Sequence, residues 1–166
     1  MTVPDFLAHL RRHGDYPIPF TVYWTPDGKP DFRVVDPDKI ITCARKRLCG
    51  ICGRALGERS WFIGGPLSKA NHLFVDPPMH ERCARFALST CPFLAQRHEY
   101  SSRSLPAGAQ PVALHSDANK ASTGWLLAAW TKKTRLLVLE DKGALLFKAG
   151  TFIKQELVYS TQGEER

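Results

Sequence analysis

The chain has 166 residues, 43% of them hydrophobic and 23% charged, with a formal net charge of +7 and a sequence pI near 9.3. That length and apolar content fit one domain with a packed core and exclude compositional disorder. The longest strongly apolar run near the end, Trp125 to Trp130, is too short to span a bilayer, and the basic balance favours acidic partners such as nucleic acid without bearing on the fold.

In chain order, Pro4 to His13 reads as a short helix with Phe6, Leu7 and Leu10 on one face and Gly14 as its stop. Phe20 to Trp24 and Asp31 to Val35 are rich in β-formers and flank the turn Pro26-Asp-Gly-Lys29, which predicts a hairpin. Asp36-Pro37-Asp38 is a helix start, with Asp36 as cap and Pro37 at the first helical position. This helix is expected to run to about Leu48 with Ile40, Ile41, Ala44 and Leu48 inward. Arg45, Lys46 and Arg47 crowd its last turn, where cations suit the helix dipole. Ser60 to Pro66 and His72 to Asp76 read as two short strands joined by a polar turn, and a helix begins in the stretch Asp76 to Leu88.

Residues 96–124 form a long polar connection. Trp125 to Thr131, Arg135 to Glu140, Ala144 to Lys148 and Phe152 to Tyr159 read as four antiparallel strands, with Asp141-Lys-Gly143 turning between the second and third. The expected organisation is an N-terminal helix and hairpin (1–42), a central module (43–95), the connection (96–124), the strands (125–160) and a tail (161–166), together one compact domain.

The central module carries the chemistry. Cys49-Gly-Ile-Cys52 and His80-Glu-Arg-Cys83 offer two pairs of soft or borderline ligands. Zinc prefers tetrahedral thiolate and imidazole donors, and a Cys-x2-Cys joined to a distant second pair supplies them. Knuckle, hairpin and helix with two ligands in its first turn is the order of a treble-clef zinc finger. The fold class predicted is therefore α+β, a treble-clef module with flanking elements and a C-terminal antiparallel sheet, holding one structural zinc on Cys49, Cys52, His80 and Cys83. Cys91 is the rival fourth ligand, but eight residues of helix place it about 12 Å along the axis from Cys83. Cys43 reads as a buried core thiol. Five cysteines, an odd number without a secretory leader at Met1 to Leu10, argue against a disulfide framework and for a reducing, cytoplasmic setting.

Between Cys43 and Lys69, six cations face a single acid, Glu58. Arg45, Lys46, Arg47, Arg54 and Arg59 are the candidate nucleic-acid contacts. The same charges could instead offset the formal −1 of a Cys3His zinc site. Catalytic alternatives fit less well. Four ligands leave no open metal position. The His-Glu-x-x-His protease motif fails at Ala84, and the deaminase order of histidine before cysteine pair is reversed. An HNH-type nuclease would need a catalytic histidine, for which only His72 could be offered. His9, His13, His98 and His115 show no partner pattern.

Pro30-Asp-Phe-Arg-Val-Val-Asp-Pro37, Leu48-Cys-Gly-Ile-Cys-Gly-Arg-Ala-Leu-Gly57, Phe62-Ile-Gly-Gly-Pro66, Asp76-Pro-Pro-Met-His-Glu-Arg-Cys-Ala-Arg-Phe-Ala87 and Cys91-Pro-Phe-Leu94 resemble a family of small zinc-binding proteins of bacteria and their phages. The resemblance implies the same four zinc ligands and carries no activity with it. It makes a phage or prophage association an expectation, and with it regulation or inhibition of a host factor. The function expected is a structural-zinc binding module that contacts nucleic acid or a protein that handles it. The alternatives are an HNH-like metal-dependent nuclease and a protein-only inhibitor.

Overall fold

The computed structural model describes residues 2–91, 94, 124–130, 135–139 and 144–159. The polar connection up to residue 123, His98, His115, the Asp141–Gly143 turn and the tail lie outside the described residues.

The N-terminal segment is not the helix its periodicity predicts. A single 3₁₀ turn, Asp5–Leu7, is followed by β1 (Arg12–His13), which pairs antiparallel with β2 (Tyr16–Pro17). The backbone after Leu10 is committed to this ribbon, since the Ile18 N–H donates to the Arg11 carbonyl at 2.8 Å. Gly14, at φ +57°, supplies the ribbon's turn instead of a helix stop. The apolar face still finds the core: Leu7 is fully buried and Phe6 and Leu10 pack beside it.

The next hairpin forms as predicted, β3 (Val22–Trp24) against β4 (Pro30–Val35), with a register shift between Val22 and Tyr23. Helix α1 (Pro37–Lys46) starts where the cap signal puts it, the Asp36 carboxylate accepting from the N–H groups of Asp38 and Lys39. It ends earlier than expected. Arg47 takes the left-handed conformation, and Leu48 leaves the helix to pair with Ala55. The face it buries is Ile40 and Cys43, with Ile41 and Ala44 only half-buried.

The expected hairpin of 60–66 with 72–76 is absent. β5 (Ser60–Gly64) and β6 (Leu73–Phe74) are separated by a short helix, α2 (Pro66–Asn71), and join different sheets. Pro66 stands at the start of α2, a position where its missing N–H costs nothing and its fixed φ is already helical. α3 (Glu81–Thr90) follows. The four strands predicted near the C-terminus are present as β7 (Gly124–Trp130), β8 (Arg135–Leu139), β9 (Ala144–Lys148) and β10 (Lys154–Tyr159). They do not make one sheet. They divide between two antiparallel three-stranded sheets, β10-β7-β5 and β6-β9-β8, each completed by a strand from the central module.

β5 separates two hydrophobic clusters. All five of its residues are buried, and its side chains alternate as a strand requires. Trp61 and Ile63 join a cluster with Leu7, Met79, Ala84, Leu88, Cys49, Cys52 and Cys83. Phe62 points into a second cluster with Ile40, Phe74, Phe147 and Ala149. Phe62 and Phe74 stack with ring centroids 4.4 Å apart. Phe62→Ala should therefore destabilise the fold by about 3–5 kcal/mol, read as a lower urea midpoint with little change in slope.

Candidate metal centre

The knuckle is built from backbone geometry. The Cys49 N–H donates to the Arg54 carbonyl and the Gly53 N–H to the Cys49 carbonyl, both at 2.8 Å. Gly53, at φ +69°, holds the left-handed position that closes the turn, and a Cβ there would lie 2.8 Å from the Phe20 ring. Gly50 has no such φ but is pressed on Pro77, 2.6 Å from where its Cβ would stand. Neighbouring chain clamps the knuckle from both sides. The Phe20 N–H donates to the Ile51 carbonyl at 2.8 Å, the Thr21 hydroxyl to the Gly50 carbonyl at 3.2 Å, and the Gly50 N–H to the Pro78 carbonyl at 3.1 Å.

The second ligand pair arrives on a bridge and a helix start. Trp61 and Met79 exchange both backbone hydrogen bonds, at 2.8 and 2.9 Å, which fixes the chain just before His80. His80 is the N-cap of α3, not a residue of its first turn, and Cys83 is the third residue of the helix. Side chains at these two positions face each other across the helix start, the relation that a capping box uses. The spacing of three therefore converges although only one of the two residues is helical.

The ligand atoms of Cys49, Cys52, His80 and Cys83 all lie within 4.8 Å of one another. The three cysteines are buried and His80 is half-buried. His80 Nδ1 lies 3.4 Å from Cys52 Sγ and 3.9 Å from Cys83 Sγ. On the far side of the ring, Nε2 is 3.0 Å from the Ala55 carbonyl oxygen. A carbonyl can only accept, so Nε2 carries the proton and Nδ1 presents its lone pair to the sulfurs. A donor to a carbonyl on the outer nitrogen is the usual support of a metal-bound histidine.

The thiols are tuned by each other. Cys52 is held far below the ordinary thiol range, first by hydrogen bonds from the Cys49 and Cys83 thiols and also by the Arg54 N–H. Cys83 is pushed up, first by its hydrogen bonds to Cys49 and Cys52 and then by burial. Cys49 is raised chiefly by its hydrogen bond to Cys52 and by burial, against lowering by the Cys83 thiol and then by the N–H groups of Cys52 and His80. Three sulfurs this close cannot all carry charge unless a cation sits among them. The donor set fits a thiolate-loving metal such as zinc, with every ligand position filled by protein.

The remaining candidates fall elsewhere. Cys91 is the C-cap of α3, half-buried and outside the cluster. Cys43 is fully buried on α1. His72 adopts φ +59° at the end of α2, places Nδ1 2.6 Å from the Gly150 carbonyl oxygen and stacks on Phe152 at 4.2 Å. It fastens α2 to the segment after β9 and lies outside the metal-ligand cluster. Arg45, Lys46, Arg47, Arg54 and Arg59 are all exposed. Arg47 donates to the Gly57 carbonyl at 3.0 Å and Arg54 lies 3.3 Å from His9 Nδ1. His9 is the residue that sequence reasoning passed over: its Nε2 is 2.9 Å from the Cys52 carbonyl oxygen, a contact across 43 residues that no local spacing signals.

The chain matches no family model, and comparison with the curated proteins and with the solved structures finds no significant similarity. What the structure carries of the family resemblance is the four-ligand cluster itself. Among the described residues no helix is long and apolar enough to cross a membrane.

Burial, followed by the nearby Cys49 and Cys52 charges, pushes the Cys43 thiol from 9.0 up to about 12. The unfolded chain ionises this thiol near its ordinary value while the fold keeps it neutral. Stability should therefore fall as pH rises from 9 toward 12, by up to about 1.4 kcal/mol per pH unit from this group. Urea denaturation across that range should show a shallower fall in Cys43→Ala, whatever its offset at neutral pH.

Proposed function

We propose that the chain is a non-enzymatic binding module organised around one structural zinc ion on Cys49, Cys52, His80 and Cys83, and that its exposed cations Arg45, Lys46, Arg47, Arg54 and Arg59 contact nucleic acid. The observation that carries the zinc reading is the convergence of four ligand atoms within 4.8 Å, with the His80 tautomer set by Ala55. Of the treble-clef order, the knuckle and the helix that follows the second ligand pair support that reading of the module, while α2 and the Trp61–Met79 bridge stand where its hairpin would be. Zinc here would supply charge neutralisation and folding energy, leaving no open coordination position for substrate. The charge bias of the segment favours a polyanion, and the host-directed role expected of phage proteins is compatible with it.

Metal analysis of the purified protein should give about one zinc per chain, and a Cys49→Ser/Cys83→Ser variant should bind none. A folded, metal-free wild type would remove the zinc reading.

Titration of the zinc-loaded protein with DNA and RNA oligomers should show affinity falling on the order of several hundredfold between 50 and 200 mM salt if about five phosphates are contacted. Arg45→Glu/Arg59→Glu, which touches neither the knuckle hydrogen bonds nor the ligands, should weaken binding and flatten the salt slope. Absence of binding at low salt would leave a protein partner in place of nucleic acid.

A further inference from the structure

We propose that His9 is a positioning residue of the metal centre: delivered from the N-terminal segment, it locks the Cys52–Gly53 peptide and with it the first ligand pair. The inference rests on the metal reading of the cluster. Its ground is the contact geometry. His9 Nε2 stands 2.9 Å from the Cys52 carbonyl oxygen and Nδ1 stands 3.3 Å from an Arg54 guanidinium nitrogen. The carbonyl accepts only and the guanidinium donates only, so one tautomer satisfies both: Nε2–H donates to Cys52 and Nδ1 accepts from Arg54.

That peptide plane is a critical one. Its other end is the Gly53 N–H, which donates to the Cys49 carbonyl at 2.8 Å, and Gly53 holds the left-handed turn. Rotation of the plane would break the Gly53 bond and with it the left-handed turn that joins the two cysteines. His80 is steadied by the Ala55 carbonyl. His9 meets the Cys52 carbonyl from a segment distant in sequence. Leu7, fully buried, and Phe6, whose ring meets Phe86 edge-on at 6.5 Å, hold the segment in place. His9 itself is exposed, so its replacement opens no cavity in the core.

The test compares wild type, His9→Ala, His9→Gln and Phe6→Ala in the full chain, each titrated with Co²⁺ and then competed for Zn²⁺ by a chromogenic chelator. The expected result is a tetrahedral thiolate Co²⁺ spectrum in wild type. Zinc affinity should be roughly three- to tenfold weaker in His9→Ala, at or below the usual effect of an outer-shell partner. Gln places an amide N–H near the Nε2 position and should recover most of the loss. Phe6→Ala weakens the docking of the segment but keeps the donor, and should retain affinity within about twofold of wild type. Unchanged affinity in His9→Ala overturns the proposal while leaving the metal centre intact. So does an equal loss in Phe6→Ala without rescue by Gln, because docking alone would then account for the effect. A wild type that takes up no Co²⁺ and no Zn²⁺ overturns the metal reading and the proposal together.

Discussion

Three buried thiols and one imidazole share a space in which every ligand atom is within 4.8 Å of the others. Without a cation among them, thiolates this close would repel one another. That crowding is the constraint on which the middle of the molecule depends. It joins the knuckle to α3, and both to the N-terminal segment through His9. The ligands themselves form part of a hydrophobic cluster with Leu7, Trp61, Ile63, Met79, Ala84 and Leu88. A metal bound here would therefore stabilise the same contacts as apolar burial and would be screened from water.

β5 carries this arrangement to the rest of the structure. A strand with both faces buried must serve two cores, and alternation lets Trp61 and Ile63 face the ligand side while Phe62 faces Phe74 and Phe147. Its hydrogen bonds are also divided, to β7 along one edge and to Met79 by the bridge that presents His80. The metal ligands and the C-terminal strands are thus tied to one strand. Across the ligand-side surface, Arg85 on α3 pairs with both Glu81 and Glu156, the latter on β10. These exposed pairs add little energy by themselves, but they agree with the packing beneath them.

The local signals in the sequence were legible where short-range chemistry decides. The Asp36-Pro37 helix start, the turn between β3 and β4, the four C-terminal strands and the cluster of four candidate ligands all follow from spacing and residue type. The errors fall where a distant partner outweighs a local preference. Phe6, Leu7 and Leu10 do share a buried face, but backbone pairing in the β1–β2 ribbon forestalls the helix. Ser60 to Gly64 and Leu73 to Phe74 are strands, yet each finds a better partner beyond the polar connection than in the other. Pro66, expected to end a strand, starts a helix.

The sequence by itself determined which atoms could bind a metal, because ligand identity and a spacing of two or three residues are local properties. It also determined the charge bias, which needs no geometry. Only the tertiary structure decided that these side chains meet, which tautomer His80 presents, and that the His9 ring reaches the Cys52 carbonyl. It alone decided which strands share a sheet. Those outcomes depend on contacts across tens of residues, where the free energy of burying a shared face selects among pairings that local propensity leaves equal.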